Sequence, residues 1–306
     1  MVPDAVRRKA TALGADGERW LENLPGVVES LTARWGIRVG RMLEGGSSGF
    51  VAEAVNADGA PVVLKIAMPD GLTGNSPFAT QLHALLLGDP RCYVRVLRHD
   101  VPQRAMLQER LGRPLSALGL SVEAQIDAIT STLVKGWHRV ADTSLRTGAV
   151  QAAFLREFVA NTWMELGRPC DASIIEVATR YARAREHAYD ETRSVLIHGD
   201  AHPDNVLQAA EGYKLIDPDG MLSEPAHDLG VALRDWSDEL LAADAINLAT
   251  SWCARAAARA GVDPAPIWEW AFIERVSSGL FLLQLGIDAG TRFLEAAWLL
   301  REVGGV

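Results

Sequence analysis

Hydrophobic positions divide the chain into a first part with strand-like segments and a second part that is mainly helical. Apolar residues recur at helical spacing over 16–36, and short apolar stretches separated by turn residues follow, which is typical of strands joined by tight turns. We therefore predict an antiparallel sheet with one intervening helix. The strands are expected over 37–43, 50–55, 61–67, 93–99 and 104–108, and the helix over 76–87.

The second part is rich in Ala and Leu at helical spacing. Helices are predicted over 121–141, 150–166, 172–190, 228–242, 244–260, 266–285 and 290–302, and short strands over 194–197, 206–208 and 213–216. Runs of strands followed by runs of helices indicate an α+β protein. We predict two lobes, a strand-rich N-terminal lobe over 1–108 and a larger helical C-terminal lobe over 115–306, joined by a hinge over 109–114.

The composition narrows the class of protein. The 306 residues are 48% hydrophobic and 23% charged, which excludes a disordered, collagen-like or coiled-coil chain. The chain has no apolar run long enough to predict a membrane span, and its first residues lack the apolar segment of a secretory signal. Its three cysteines are scattered and odd in number, which is typical of free thiols in a reducing compartment. We therefore expect a cytoplasmic protein.

Charge is distributed unevenly along the chain. The net charge of −9 argues against nucleic-acid binding, for which basic patches are the usual footprint. Residues 1–108 carry 12 Lys/Arg and 11 Asp/Glu, whereas residues 109–306 carry 18 Lys/Arg and 28 Asp/Glu. The excess of negative charge therefore belongs to the predicted helical lobe.

The strongest chemical pattern lies at the ends of two apolar strands. The run from His198 to Asn205 reads His-Gly-Asp-Ala-His-Pro-Asp-Asn, with Asn205 five residues after Asp200, and a second strand leads into Asp217. Carboxylate and amide oxygens suit Mg²⁺, which also holds substrate phosphates. Each fragment alone is consistent with an ordinary turn. The complete set, in this order, matches the phosphoryl-transfer template of one catalytic Asp, a metal-binding Asn and a second metal-binding Asp.

Further nucleotide contacts are expected in the N-terminal lobe. A Gly-rich turn between the first two strands contains Gly46, Ser47 and Ser48, whose backbone N–H groups suit phosphate oxygens. Lys65 lies within the apolar third strand, and only four of the 30 basic residues are lysines, which favours a phosphate contact over an ordinary surface position. At the hinge, the carbonyl of Gln108 and the N–H of Arg110 are the predicted contacts for adenine.

Together these motifs resemble the aminoglycoside phosphotransferase superfamily, in the branch of streptomycin 6-kinases and hydroxyurea phosphotransferases. The residues that carry the resemblance are the 198–205 run, Ile-Asp-Pro-Asp-Gly at 216–220, Glu-Pro-Ala-His-Asp-Leu-Gly at 224–230, Trp-Leu-Glu-Asn-Leu-Pro at 20–25, the Lys65 strand, Glu-Arg-Leu at 109–111 and the 275–286 segment. The resemblance covers nearly the whole chain. It implies a bilobal protein-kinase-like fold and phosphorylation of a small-molecule hydroxyl, with ATP or GTP as donor and Mg²⁺ as metal.

The resemblance also implies roles for single residues. Asp200 is the expected catalytic base, Asn205 and Asp217 the expected magnesium ligands, and Lys65 the expected contact of the α- and β-phosphates. His198 is expected to support the catalytic loop. Asp228 is expected to start and anchor the helix that follows it, without a catalytic role.

One position departs from the pattern of kinase-like proteins, which usually pair the strand lysine with a Glu of the next helix. Residues 71–88 contain no Asp or Glu, and Gln81 occupies the expected position of that Glu. A neutral amide holds a lysine by a hydrogen bond with less electrostatic help. A weakly active or regulatory nucleotide-binding relative therefore remains an alternative hypothesis.

The acceptor is less clearly defined by the sequence. An acidic helical lobe would attract a cationic acceptor such as an aminoglycoside, although surface carboxylates often serve only solubility. The candidate contacts are Asp235, Trp236, Glu269, Glu274 and Asp288. A kinase of hydroxyurea or of a metabolite is the alternative within the same enzyme class, and the sequence does not distinguish a monomer from a dimer.

Overall fold

A computed structural model describes residues 4–43, 49–70, 77–142 and 144–302 of the chain. It divides into two compact units, Met1–Gly112 and Arg113–Val306, here called the N-terminal and C-terminal units. The division falls inside the segment 109–114 that the sequence predicts as the hinge. Among the described helices, none combines the length and the apolarity that crossing a membrane requires.

Three α-helices and a five-stranded antiparallel sheet form the described part of the N-terminal unit. Its elements are α1 (Asp4–Ala12), α2 (Ala15–Trp35), β1 (Arg38–Met42), β2 (Gly49–Val55), β3 (Pro61–Ala67), α3 (Phe78–Leu87), β4 (Val96–Asp100) and β5 (Ala105–Glu109). The strand order is β1-β2-β3-β5-β4, so β3 is the central strand. The predicted sheet is thus present, and α1 was not predicted because its few apolar positions are interrupted by charged residues.

Helix α2 covers this sheet. Leu24, Leu31 and Trp35 of α2 are buried in one apolar cluster with residues of β2, β3 and β5. The helix is continuous through Pro25 and ends at Gly36, which adopts a left-handed conformation with φ of 63° and so terminates the helix without a Cβ penalty. Packing of this apolar face fixes the sheet that carries Lys65.

The C-terminal unit contains eight helices and five short strands within the described residues. The helices are α4 (Val122–Gly136), α5 (Gly148–Glu165), α6 (Ala172–His187), α7 (Pro225–Leu233), α8 (Ser237–Ala242), α9 (Ala245–Ala260), α10 (Pro264–Gln284) and α11 (Gly290–Leu300). The strands are β6 (Arg146–Thr147), β7 (Val195–Ile197), β8 (Val206–Gln208), β9 (Tyr213–Leu215) and β10 (Met221–Ser223). They form a three-stranded sheet, β6-β10-β7, and a β8-β9 hairpin.

The predicted helix over 228–242 is wrong, because two helices occupy this region. Helix α7 begins three residues before Asp228 and ends at Leu233, and α8 starts at Ser237. Trp236, which precedes α8, has a left-handed backbone with φ of 58°, a conformation that is uncommon for a residue with a large side chain. The break turns the chain at the residues that follow α7.

Helix α7 lies against the long, mostly buried helix α10. Gly230 allows this close approach, since a Cβ at that position would lie 2.4 Å from Cβ of Trp270 and 2.8 Å from the backbone nitrogen of Ala271. Any larger side chain would push the helices apart. Helix α7 is therefore a fixed platform for the site described next.

Candidate active site

The segment between β7 and β8 is tied to the segment after β9 by His198. This fully buried imidazole accepts the Asp200 N–H at Nδ1, at 3.1 Å, and donates from Nε2 to the carbonyl of Ile216, at 2.8 Å. These partners define the neutral tautomer with the proton on Nε2. Burial lowers the pKa of His198 and outweighs the opposite effect of Asp228 and Asp200. These contacts join the two segments, and the supporting role of His198 in catalysis stays a prediction.

Asp228 of α7 holds the backbone of the same loop. Its fully buried carboxylate accepts the N–H groups of His198 at 3.0 Å and Gly199 at 2.8 Å, and the indole N–H of Trp137 at 2.9 Å. Gly199 has φ of +81°, and a Cβ there would lie 2.5 Å from Cε of Met221. The expectation that Asp228 starts a helix is wrong, because α7 begins at Pro225 and the carboxylate binds the loop instead.

Asp200 is held at both carboxylate oxygens. Oδ1 accepts a hydrogen bond from the guanidinium of Arg234. Oδ2 accepts from Nδ2 of Asn205 at 3.2 Å and lies 3.6 Å from Nε2 of His202. The side chain is 30% exposed, so it is oriented by the protein and still reachable from solvent.

These partners also set the protonation state of Asp200. Burial raises the pKa of this carboxyl, but the charge of Arg234 and then the hydrogen bond and charge of His202 outweigh that effect and hold the pKa well below its usual range. Conversely, Asp200 raises the pKa of His202 against the effect of burial. Asp200 is therefore an ionised hydrogen-bond acceptor at neutral pH.

Asn205 and Asp217 provide the oxygen atoms expected of a magnesium site. Asn205 uses Nδ2 on Asp200, at 2.9 Å from its carbonyl oxygen, which leaves the side-chain Oδ1 as the acceptor atom. The backbone carbonyl of Asn205 accepts the N–H of Ile216 at 2.9 Å. Asn205 is thus hydrogen-bonded to the residue that directly precedes Asp217. Asp217 has a left-handed backbone with φ of 57°, which reorients the chain after β9.

The donor set fits a metal that takes few protein ligands. Within the described ranges, no group of three or more His, Cys, Asp or Glu residues could hold a metal ion. Mg²⁺ is usually bound by one or two carboxylates together with water and substrate phosphates. One carboxylate and one amide oxygen are thus consistent with magnesium that arrives with a nucleotide.

In the N-terminal unit, Lys65 contacts Gln81. Nζ of this lysine, which is only 4% exposed, donates to Oε1 of Gln81 across 3.1 Å from β3 to α3. Gln108 is buried in β5, and Arg110 follows that strand with its guanidinium on Glu53 at 2.9 Å. The predicted phosphate-binding residues Gly46, Ser47 and Ser48 lie outside the described residues.

Two of the predicted acceptor residues, Asp235 and Glu274, are linked to Asp200 through Arg234, and Trp236 follows Asp235 in the sequence. Asp235 directly follows Arg234, and its pKa is raised by burial and by the charge of Asp200, against the effects of Arg234, His202 and Arg275. Trp236 comes next and packs edge-to-face on Trp252, with ring centroids 5.8 Å apart. Glu274 is buried, with Oε2 at 3.6 Å from Arg234 and Oε1 at 3.3 Å from His227.

The other two predicted acceptor residues have no described contact with this group. Glu269 forms an ion pair with Arg185, at 2.5 Å between Oε2 and Nε. Asp288 is exposed between α10 and α11. The structure therefore links Asp235 and Glu274 to the Asp200–Arg234 pair, whereas the described contact of Trp236 is with Trp252, and those of Glu269 and Asp288 lie elsewhere.

Sequence reasoning missed Arg234 and His202. Both contact the carboxylate of Asp200, yet neither belongs to the set of residues that the phosphoryl-transfer template names. The spacing of Arg234 gives no signal, because six residues after Asp228 on a segment predicted to be helical place the two side chains on different faces of that helix.

The chain is similar in sequence to known small-molecule kinases. Residues 34–286 match the model of the family described as aminoglycoside/hydroxyurea antibiotic resistance kinase. A hydroxyurea phosphotransferase of Kitasatospora aureofaciens is 33% identical over 225 residues, which are 72% of this chain and 64% of that relative. A streptomycin 6-kinase of Streptomyces glaucescens is 27% identical over 285 residues, which are 92% of this chain and 90% of the relative.

A solved structure shows the same fold. Aminoglycoside phosphotransferase APH(3'')-Id from Streptomyces rimosus, in complex with ADP and streptomycin, superposes with a TM-score of 0.54 at 16% identity. The match covers 83% of this chain and 98% of that one. The fold is thus α+β and protein-kinase-like, as the sequence predicts, and the resemblance of the motifs to small-molecule kinases is confirmed. Because the family model matches residues 34–286, which are most of the chain, the chain belongs to the aminoglycoside/hydroxyurea antibiotic resistance kinases.

Proposed function

We propose that this protein is a cytoplasmic, ATP-dependent O-phosphotransferase that phosphorylates a hydroxyl of an aminoglycoside of the streptomycin type and thereby confers resistance. The observation that carries the proposal is the ionised carboxylate of Asp200, which is oriented at both oxygens beside Asn205. The full-length match to a streptomycin 6-kinase supports the choice of acceptor.

In the proposed reaction, Asp200 orients the acceptor hydroxyl and takes its proton late. The acceptor oxygen forms a bond to the γ-phosphorus as the bond between that phosphorus and the bridging oxygen of ADP breaks. Phosphoryl transfer involves little covalent chemistry by the protein, so positioning and charge neutralisation supply most of the rate enhancement. A carboxylate with such a low pKa is a weak base. Asp200 would therefore align the hydroxyl by a hydrogen bond and would not deprotonate it before the phosphoryl group moves.

The remaining motif residues would bind the nucleotide and the metal. Asn205 and Asp217 would hold Mg²⁺, which when bound neutralises charge on the phosphates. Lys65 would contact the α- and β-phosphates, with the backbone of Gly46, Ser47 and Ser48 on the phosphate oxygens. The carbonyl of Gln108 and the N–H of Arg110 would bind adenine. The ADP bound to the streptomycin-binding structure of the same fold supports a nucleotide donor, for which we propose ATP rather than GTP.

A cationic acceptor would be recognised by carboxylates and an aromatic ring. We propose Asp235 and Trp236 as the nearest contacts, because they follow Arg234 at the Asp200 site. Glu274 would act there through Arg234, with Glu269 and Asp288 as more distant contributions to a negative field. A guanidinium or ammonium group gains from nearby carboxylates and from stacking on an indole.

A second candidate is phosphorylation of hydroxyurea, favoured by the 33% identity to a hydroxyurea phosphotransferase. Hydroxyurea is uncharged and small, so it would gain little from the acidic groups near Asp200. A weakly active nucleotide-binding relative is the third candidate, since Lys65 is held by the neutral Gln81.

The test is ATP consumption by the purified full chain in the presence of streptomycin, other aminoglycosides, hydroxyurea and common alcohols, with products identified by mass spectrometry. We expect a singly phosphorylated streptomycin. Turnover of hydroxyurea alone would favour the second candidate, and nucleotide binding without any turnover would favour the third.

Asp200→Asn tests the assignment of the base in the same assay. General-base contributions are typically about 10²–10⁴-fold, and we expect a loss of kcat in that range with ATP binding retained. The matched control is Asp204→Asn, because this exposed carboxylate lies in the same loop and should leave kcat close to the wild-type value. Full activity of Asp200→Asn would contradict the mechanism.

A further inference from the structure

Arg234 is a charged residue to which the proposed phosphoryl-transfer step gives no role, although it contacts the proposed base. Its Nη2 donates to Oδ1 of Asp200, and its Nη1 lies 3.6 Å from Oε2 of Glu274. The arginine side chain is 16% exposed and that of Glu274 only 8%. One guanidinium therefore links the carboxylate of the loop to a buried carboxylate of α10.

Helix α7 connects this contact to the backbone of the loop. Asp228 in α7 accepts the N–H groups of His198 and Gly199, and Arg234, the residue directly after α7, reaches the side chain of Asp200. Six residues of helix span about 9 Å, so a single rigid element contacts the loop at two separate places. The backbone and the carboxylate of the loop are thereby held in a fixed relation to each other.

Arg234 is itself held from the side opposite Asp200. Oε1 of Glu274 lies 3.3 Å from Nε2 of His227, and Nδ1 of that histidine lies 3.1 Å from Oγ of Ser223. The imidazole also stacks on the indole of Trp270, with ring centroids 3.6 Å apart. These buried contacts leave the guanidinium little freedom to rotate away from Asp200.

We infer that Arg234 is a positioning residue for phosphoryl transfer, which fixes the orientation of the Asp200 carboxylate while Glu274 fixes Arg234. The inference rests on the proposed function of Asp200. With Oδ1 on Arg234 and Oδ2 on Asn205, rotation of the carboxylate is blocked at both oxygens. Lysine would supply the charge but not the planar fork that reaches two carboxylates at once.

The test compares Arg234→Gln and Arg234→Lys with the same substitutions at Arg156. Arg156 is a suitable control because it is also partly buried, at 25% exposure, and also contacts two carboxylates, those of Glu157 and Glu186, in the α5–α6 region. Misplacement of a catalytic group by about 1 Å can cost about 100-fold in rate. We expect Arg234→Gln to lower kcat by about 100-fold with the KM for ATP unchanged, and Arg234→Lys to restore part of that loss.

Both Arg156 variants should retain kcat within about twofold of wild type, because a purely structural ion pair does not act on Asp200. A folded Arg234→Gln variant with wild-type kcat would overturn the inference, as would equal losses in the Arg156 variants. If Arg234→Gln does not fold, Arg234→Lys decides: a lower kcat at unchanged KM for ATP supports the inference, and a wild-type kcat overturns it. An inactive wild-type protein would instead contradict the proposed function.

Discussion

At the scale of single residues, the contact between Lys65 and Gln81 has a direct electrostatic consequence. A carboxylate at position 81 would offer a full negative charge to the buried ammonium group, whereas the amide offers only a dipole. The sequence predicts this neutral partner from the absence of acidic residues over 71–88, and the structure contains the contact. Its role toward ATP remains a prediction.

Gln81→Glu should therefore lower the KM for ATP. Exchanging the acceptor dipole for a full charge should strengthen the contact by about 1 kcal/mol and so favour the phosphate-binding position of Lys65, which corresponds to about fivefold in affinity. The measurement is the KM for ATP at a saturating acceptor concentration. Gln81→Met, which removes the amide oxygen but keeps an unbranched side chain of similar length, should raise the KM for ATP. The assignment of Lys65 to the phosphates would be contradicted if neither substitution changed it.

The sequence singles out Asp200, Asn205 and Asp217 because of their spacing at strand ends, and their catalytic and metal-binding roles stay predictions. The contact of Arg234 with Asp200 spans 34 residues and depends on how α7 packs on the 198–205 loop, and its contact with Glu274 spans 40 residues and depends on how α7 packs against α10. No periodicity or motif encodes such a distance. For this reason sequence analysis placed Glu274 among the acceptor contacts without its partner Arg234.

At the scale of elements, α7 determines the conformation of the catalytic loop. The Asp228 carboxylate accepts three N–H groups in a fully buried position. An asparagine has a single acceptor oxygen and would direct its own N–H₂ group towards these donors. The loop would therefore lose hydrogen bonds that water cannot replace.

Asp228→Asn should lower the free energy of unfolding by about 3 kcal/mol, since unsatisfied buried donors and lost charged hydrogen bonds each cost about 1–3 kcal/mol. Urea unfolding followed by circular dichroism measures this change. Asp171→Asn is the matched control, because Asp171 is an exposed N-cap of α6 and asparagine caps helices about equally well. A similar loss in both variants would show that Asp228 has no special place in the fold.

Element prediction succeeded where a hydrophobic period extends over several turns. Helices α9 and α11 agree with their predictions to within two residues at each end, as 244–260 against Ala245–Ala260 and 290–302 against Gly290–Leu300. Strand β6 was missed because it has only two residues, neither of them apolar, and β10 because it directly follows the turn residues Asp-Pro-Asp-Gly at 217–220. The break between α7 and α8 was missed because Trp236 carries none of the usual signals of a left-handed residue.

At the scale of the whole molecule, the two units differ in charge. Residues 1–112 carry 13 Lys/Arg and 12 Asp/Glu, and residues 113–306 carry 17 Lys/Arg and 27 Asp/Glu. Some carboxylates of the C-terminal unit are neutralised locally, as Asp127 is by Arg255 and Arg259. Pairing within the unit leaves its net charge of −10 unchanged, so a cation approaching this unit experiences an attractive field.

Binding of a cationic acceptor should therefore weaken with salt. The screening length falls from about 10 Å at 0.1 M salt to about 3 Å at 1 M, and we expect the Kd for streptomycin, measured by calorimetry, to rise at least about threefold over this range. An acetylated, less charged derivative of an aminoglycoside should show a smaller change than its parent compound. Asp235→Asn should reduce the salt dependence for streptomycin, because it removes a carboxylate adjacent to the Asp200 site. Equal salt dependence for the charged and the acetylated compound would show that the acidity of this unit does not select the acceptor, and would favour recognition by shape and hydrogen bonds instead.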